Sequence, residues 1–110
     1  MSQLNAPSSP EFEGVRAVAV ANVYFNGGVV SHTVYLPTGA RKTLGVIFPG
    51  SYEFTTNVAE RLEITAGECE VTLPGAGSSK FKAGTAFDVG AGVTFQIQSS
   101  EIAQYVCSYF

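Results

Sequence analysis

Gly45-Val-Ile-Phe-Pro-Gly-Ser-Tyr-Glu-Phe-Thr-Thr-Asn-Val-Ala-Glu-Arg-Leu-Glu-Ile-Thr-Ala-Gly67 is the stretch on which the fold turns, and it runs on directly into Glu68-Cys-Glu-Val-Thr-Leu73. Its end is the most informative part. Cys69, Val71 and Leu73 alternate with Glu68, Glu70 and Thr72; successive side chains of a strand point to opposite faces, so one face is apolar and the other wet. Glu60 to Thr65 reads as the preceding strand, and Ala66-Gly67 as the tight turn between them, where glycine takes a positive φ without a Cβ penalty. Upstream, Thr43 to Phe48 is a β-branched and apolar strand, Pro49-Gly50-Ser51 a turn, and Tyr52 to Thr56 the next strand, with Asn57-Val58-Ala59 leading into Glu60.

The flanking sequence has the same character. Val15 to Val23 reads as strand on its alternating Val18 and Val20, and Asn26-Gly27-Gly28 after Tyr24-Phe25 marks a type I′ hairpin whose return strand is Val29 to Leu36. Pro37-Thr38-Gly39-Ala40 is a further turn. Pro74 to Ser79 is glycine-rich, but no Gly-Lys-Ser/Thr ending follows, so it reads as a hairpin loop and not a phosphate cradle. Phe87-Asp88-Val89, Val93 to Gln98 and Ile102 to Phe110 complete the strands, the last with Tyr105, Cys107 and Tyr109 on one side. About ten short strands at this spacing describe an all-β sandwich or barrel. Residues 1–11 are polar and proline-broken and read as a flexible arm; residues 12–110 form a single domain.

Composition narrows the function classes. The 110 residues are 45% hydrophobic and 14% charged, which suits a packed core that needs no disulfide or metal. A net charge of −3, with no basic cluster beyond Arg41-Lys42, gives no footprint for nucleic acid or an anionic membrane surface. Cys69 and Cys107 lie in no CxxC or Cys/His cluster and read as buried free thiols of a reducing compartment. No basic region precedes the first apolar run, which Arg16 interrupts, so a cytoplasmic protein is expected. No segment approaches the roughly 20 apolar residues that span a bilayer.

Glu60 and Gly67 stand at the spacing of the first cupin motif, and Gly84, Gly90, Gly92 and Phe95 fall where the second motif carries glycine, proline, glycine and histidine. The chain thus resembles a cupin, a jelly-roll β-barrel, in which the metal-binding histidines are replaced. Those of the first motif fall on Glu53 and Thr55 or, one residue along, on Phe54 and Thr56; the second falls on Phe95. The one histidine, His32, lies outside both motifs and beside no serine motif that would make it a triad base. No metal site is expected.

Tyr24-Phe25-Asn26-Gly27, Val30-Ser31-His32-Thr33, Leu44-Gly45-Val46, Pro49 to Phe54, Glu63 to Val71 and the ending Tyr105 to Phe110 together resemble the small pyrimidine/purine nucleoside phosphorylase family of single-domain bacterial cupins. The resemblance implies phosphorolysis of nucleosides to free base and pentose 1-phosphate, with broad base specificity, inorganic phosphate as co-substrate and no cofactor. Each demand of that reaction has a candidate. A dianion needs positive charge, for which Arg41 is the first choice and Lys42 the second. An oxocarbenium-like transition state needs a carboxylate, which Glu60 at the cupin glutamate position supplies, with Glu53 beside it in one register. A base needs a flat apolar surface with few polar groups, for which Phe95, Tyr24, Tyr52 and Tyr105 are candidates, with Thr55 as a hydroxyl.

Two readings remain open at this point: the phosphorylase, and a metal-free cupin that binds a small sugar or nucleotide-like ligand without turning it over. A homodimer is expected, because a small β-barrel must cover its exposed strand edges and paired N-terminal strands would do so.

Overall fold

The computed structural model describes every residue except Met1, Ser2 and Ser8. Its strands are β1 (Leu4–Asn5), β2 (Arg16–Ala17), β3 (Asn22–Tyr24), β4 (Val29–Tyr35), β5 (Arg41–Ile47), β6 (Gly50–Thr55), β7 (Glu60–Ala66), β8 (Glu68–Leu73), β9 (Gly77–Lys82), β10 (Thr85–Val89), β11 (Thr94–Ser99) and β12 (Ala103–Tyr109). The single helical element among the described residues is one 3-10 turn, Phe25–Gly27. An 8-stranded sheet runs β1-β10-β7-β12-β5-β4-β2, with β3 also on β4, and a 4-stranded sheet runs β6-β11-β8-β9. Neighbours pair antiparallel throughout, for instance β7 with β10 and β12, and β11 with β6 and β8. The fold is the all-β jelly roll that the cupin motifs imply.

The two inner faces close on one core. Phe81, Phe87, Ile47, Ile64, Ile97, Val29 and Val71 are its fully buried large side chains. Each such side chain contributes about 1.5–3 kcal/mol by leaving water. On β8 the alternation is as read, with Cys69 and Val71 buried and Glu68 and Thr72 exposed. Cys69 and Cys107 are buried free thiols, and burial pushes the Cys69 thiol up to about 11.

Gly67 shows why the first motif needs its glycine. Its φ is 70°, and a Cβ there would overlap the carbonyl oxygen of Ile102, so the β7–β8 turn and the entry to β12 pack backbone to backbone. At Gly45 a methyl would overlap the Tyr105 ring, so that glycine is the floor on which an inward tyrosine lies.

Three local features differ from the sequence reading. Within the expected arm, Leu4–Asn5 pairs with Ala86 and Thr85 as an edge strand. The valine alternation does not build one strand: Ala19 and Val20 bend away, leaving two short pieces with Val20 80% exposed. The β3–β4 hairpin forms, but the left-handed residues ahead of Gly27 are Phe25 (φ 53°) and Asn26 (φ 56°), one residue earlier than the Asn-Gly pair suggests. Phe25 accepts this costly conformation where its ring packs on Tyr52 and Phe54, at centroid separations of 5.0 and 5.3 Å.

Candidate active site

Register decides which side chains meet. Tyr35 faces Arg41 across β4 and β5, and Tyr109 faces Glu60 across β12 and β7. Ser108 is opposite Lys42, so Tyr109 comes next to Arg41. Directly opposed residues point to the same face of a sheet. Arg16, the cross-strand partner of Tyr35, starts the row, so Arg16, Tyr35, Arg41, Tyr109 and Glu60 run across the rim of the larger sheet. Cations stack on both tyrosines: Arg16 Cζ lies 4.3 Å from the Tyr35 ring centroid and Arg41 Cζ 3.9 Å from that of Tyr109. Such contacts are worth about 0.5–1 kcal/mol at exposed sites.

Below this row the barrel opens as a cleft of about 320 Å³ whose lining includes Arg41, Glu60, Tyr105, Cys107, Tyr109 and Phe95. That volume lies at the lower end for small-molecule sites. The Cys107 thiol donates to Glu60 Oε1 at 3.4 Å. Burial raises the pKa of Glu60 above its ordinary 4.5, against lowering contributions from the Cys107 hydrogen bond and the Arg41 charge. Burial likewise pushes up the Cys107 thiol and the Tyr105 and Tyr109 phenols, so all three stay neutral near pH 7. Thr43, itself buried, holds the Tyr109 hydroxyl at 2.9 Å.

Across the cleft, β6 presents Phe54, which stacks on Phe95 with centroids 5.8 Å apart and planes at 26°. Tyr24 and Thr55 stand at the edge, and the Thr55 hydroxyl meets that of Thr94 at 2.8 Å. Arg41, Glu60, Tyr24, Thr55, Phe95 and Tyr105 are thus gathered around one opening.

Lys42, Glu53 and Tyr52 lie outside it. β5 starts at Arg41, so Lys42 takes the opposite face and its ammonium donates to the Ser108 hydroxyl at 2.5 Å. Glu53 alternates with Tyr52 and Phe54 and is exposed beside its cross-strand partner Gln96. Tyr52 points inward, but its hydroxyl donates to the carbonyls of Phe48 at 2.9 Å and Pro49 at 3.2 Å, where it serves the turn. Sequence reasoning leaves Phe54 as one of two alternatives at a histidine position and names Tyr109 only as sharing a face with Tyr105 and Cys107, assigning neither a role in the site. The signal for Tyr109 is its two-residue phase with Tyr105; Phe54 follows once the β6 register is known.

That register also answers which residues replace the histidines of the first cupin motif. Phe54 and Thr56 face inward, and the Thr56 hydroxyl donates to the Gly90 carbonyl at 2.6 Å while accepting from the Val93 amide at 3.0 Å, locking β6 to the second-motif turn. With Phe95 at the remaining position, the His, Cys, Asp or Glu side chains that line the cleft are Glu60 and Cys107. Among the described residues no three His, Cys, Asp or Glu side chains converge to hold a metal ion. The donor set does not fit a cupin metal.

A jelly roll with an open mouth, in which aromatic and hydroxyl groups stand where the cupin motifs carry histidines, defines a cupin-like barrel. Similarity to distant solved structures agrees on the fold alone. EutQ of Clostridium difficile superposes with a TM-score of 0.63 at 13% identity, covering 74% of this chain and 61% of that one. Ectoine synthase from P. lautus does so at 0.64 and 16%, covering 73% and 62%. Residues 19–109 match the family described as pyrimidine/purine nucleoside phosphorylase, and the chain belongs to that family. A pyrimidine/purine nucleoside phosphorylase of Geotalea uraniireducens (strain Rf4) is 47% identical over 100 residues, which are 90% of this chain and 96% of that protein. One of Paraburkholderia xenovorans (strain LB400) is 46% identical over 103 residues, 93% and 97% respectively. A crystal structure of a protein of unknown function from Acinetobacter sp. ADP1 is similar at 41% identity and a TM-score of 0.87, covering 91% of this chain and 98% of that one.

Proposed function

We propose that this protein catalyses the phosphorolysis of purine and pyrimidine nucleosides, with broad base tolerance and without a metal. The observation that carries the reading is the pairing of Arg41 and Glu60 at one mouth, a cation and a half-desolvated carboxylate on adjacent parts of one rim, facing an aromatic wall. An oxygen of hydrogen phosphate attacks the anomeric carbon, the bond from that carbon to the base nitrogen breaks, and the base leaves with the electron pair and takes up the proton that the phosphate gives up. The products are the pentose 1-phosphate and the free base. Arg41 holds the phosphate through its planar fork of donors. Glu60, as a carboxylate, stabilises the positive charge that develops on the sugar ring, and its partial burial strengthens that interaction. Phe54, with the buried Phe95 stacked behind it, offers a flat apolar surface without polar edge readout, so neither ring class is favoured. Tyr24 and Tyr105 bring hydroxyls within the same opening, while Thr55 borders it with its hydroxyl turned to Thr94 on the outer face.

The test is to incubate the purified protein with inosine or uridine, with and without phosphate, and with a chelator throughout. Base release that requires phosphate and survives chelation is expected. Ligand-induced thermal stabilisation with no turnover would instead establish the non-catalytic binder. We further propose a cytoplasmic homodimer joined along β2 and β3, where Val20 and Val23 are 80% and 60% exposed. Light scattering should then give twice the chain mass at micromolar concentration, and a monomer mass would contradict it.

A further inference from the structure

Arg41 and Glu60 belong to one row of the rim and carry opposite charges, yet among the described residues the ion pair that forms is Arg61 with Asp88, on the outer side of the barrel. What separates the first two is Tyr109. It is directly opposite Glu60 in the β12–β7 ladder, its ring lies under the Arg41 guanidinium at 3.9 Å, and its hydroxyl is anchored at 2.9 Å to the buried Thr43. A long cation beside a partly desolvated carboxylate would otherwise fold onto it, since a bidentate guanidinium–carboxylate pair is among the stronger polar contacts available. Such a pair would occupy the donors that an anion needs and cancel the charge that a cationic sugar needs.

We propose that Tyr109 is a positioning residue that holds Arg41 apart from Glu60, keeping the guanidinium available to phosphate and the carboxylate available to the sugar. The inference rests on the phosphorylase reading and assigns the division of labour at the rim to a third side chain. The stack supplies the hold and the Thr43 contact fixes where the ring stands.

The test compares Tyr109→Leu, which removes ring and hydroxyl, with Tyr109→Phe, which keeps the ring under Arg41. Tyr109→Leu should raise the KM for phosphate about ten-fold or more, the loss of roughly one charge-assisted contact, while the KM for nucleoside stays within about three-fold. Tyr109→Phe should keep the phosphate KM within about three-fold of wild type. Adding Glu60→Gln to Tyr109→Leu should bring the phosphate KM back towards that of Glu60→Gln alone, because the residue that captures Arg41 has gone; a merely structural role would not produce this rescue. An unchanged phosphate KM in Tyr109→Leu, an equal rise in both constants, or no rescue in the double variant would overturn the proposal. If the wild type shows no phosphate-dependent base release, the phosphorylase reading fails separately. The positioning role is then read from inorganic phosphate alone: thermal stabilisation by phosphate should be lost in Tyr109→Leu and kept in Tyr109→Phe, and stabilisation that is equal in all three proteins, or absent from wild type, would overturn it.

Discussion

The two ends of β7 stand in different surroundings. At one end Ile64 is fully buried against Phe87 and its neighbours; at the other, on the same face and four residues earlier, Glu60 stands at the mouth with a raised pKa. β12 repeats the contrast, from buried Ala103 to the half-buried Tyr109. Period-two alternation assigns a side chain to the inner face, but distance along the strand decides whether that face is dry core or reactive rim. The closed end should therefore govern stability and the open end chemistry.

The contrast can be broken most heavily in the dry core. Phe87 is fully buried between Phe81, at 4.6 Å, and Phe95, at 6.4 Å. Phe87→Ala should lower the unfolding free energy by about 3–5 kcal/mol in chemical denaturation. An effect below about 1 kcal/mol would mean that the core is not where the structure puts it.

At the open end Glu60→Gln should lower turnover about 10²–10³-fold with small effects on either KM, as when one preorganised electrostatic partner is removed. The same change should raise the melting temperature at pH 7. The sign follows from the raised pKa: between 4.5 and the folded value the folded state binds more protons than the unfolded one, so stability falls as pH rises through that window. Above it the carboxylate remains a standing cost that glutamine removes. The stabilisation should vanish below pH 4.5, where both states are protonated. Calorimetry showing Glu60→Gln less stable than wild type at pH 7 would contradict the desolvated placement. Smaller still, the acid limb of the wild-type kcat–pH profile should lie above 4.5, since Glu60 must be ionised to act. A limb at or below that value would assign the carboxylate role elsewhere.

The sequence reading is sharpest where alternation meets a well-marked turn. The β7–β8 hairpin and its glycine are legible because Cys69, Val71 and Leu73 leave one choice of face. Reading weakens where a strand begins. Arg41 and Lys42 are adjacent cations beside a glycine turn, and only the start of β5 at Arg41 puts one on the inner face and the other on Ser108. The Phe54 and Thr56 register depends on the length of the Pro49-Gly50-Ser51 turn, for which the sequence allows two solutions. Val18 and Val20 mislead because alternation says nothing of whether a partner strand continues beside them. Tyr109 is hidden for another reason: its contacts, Thr43 and Arg41, are 66 or more residues away in sequence and meet it only through β5–β12 pairing.

The central claim, that the open rim divides phosphate and sugar between Arg41 and Glu60, is tested most directly by steady-state kinetics of Arg41→Ala with each substrate varied in turn, on protein shown by thermal melting to be folded. The KM for phosphate should rise at least about ten-fold while that for nucleoside changes little, with Arg41→Lys between the two because a point charge cannot reproduce the guanidinium fork. An unaltered phosphate KM in Arg41→Ala, with wild-type turnover, would contradict the assignment of this rim as the phosphate site.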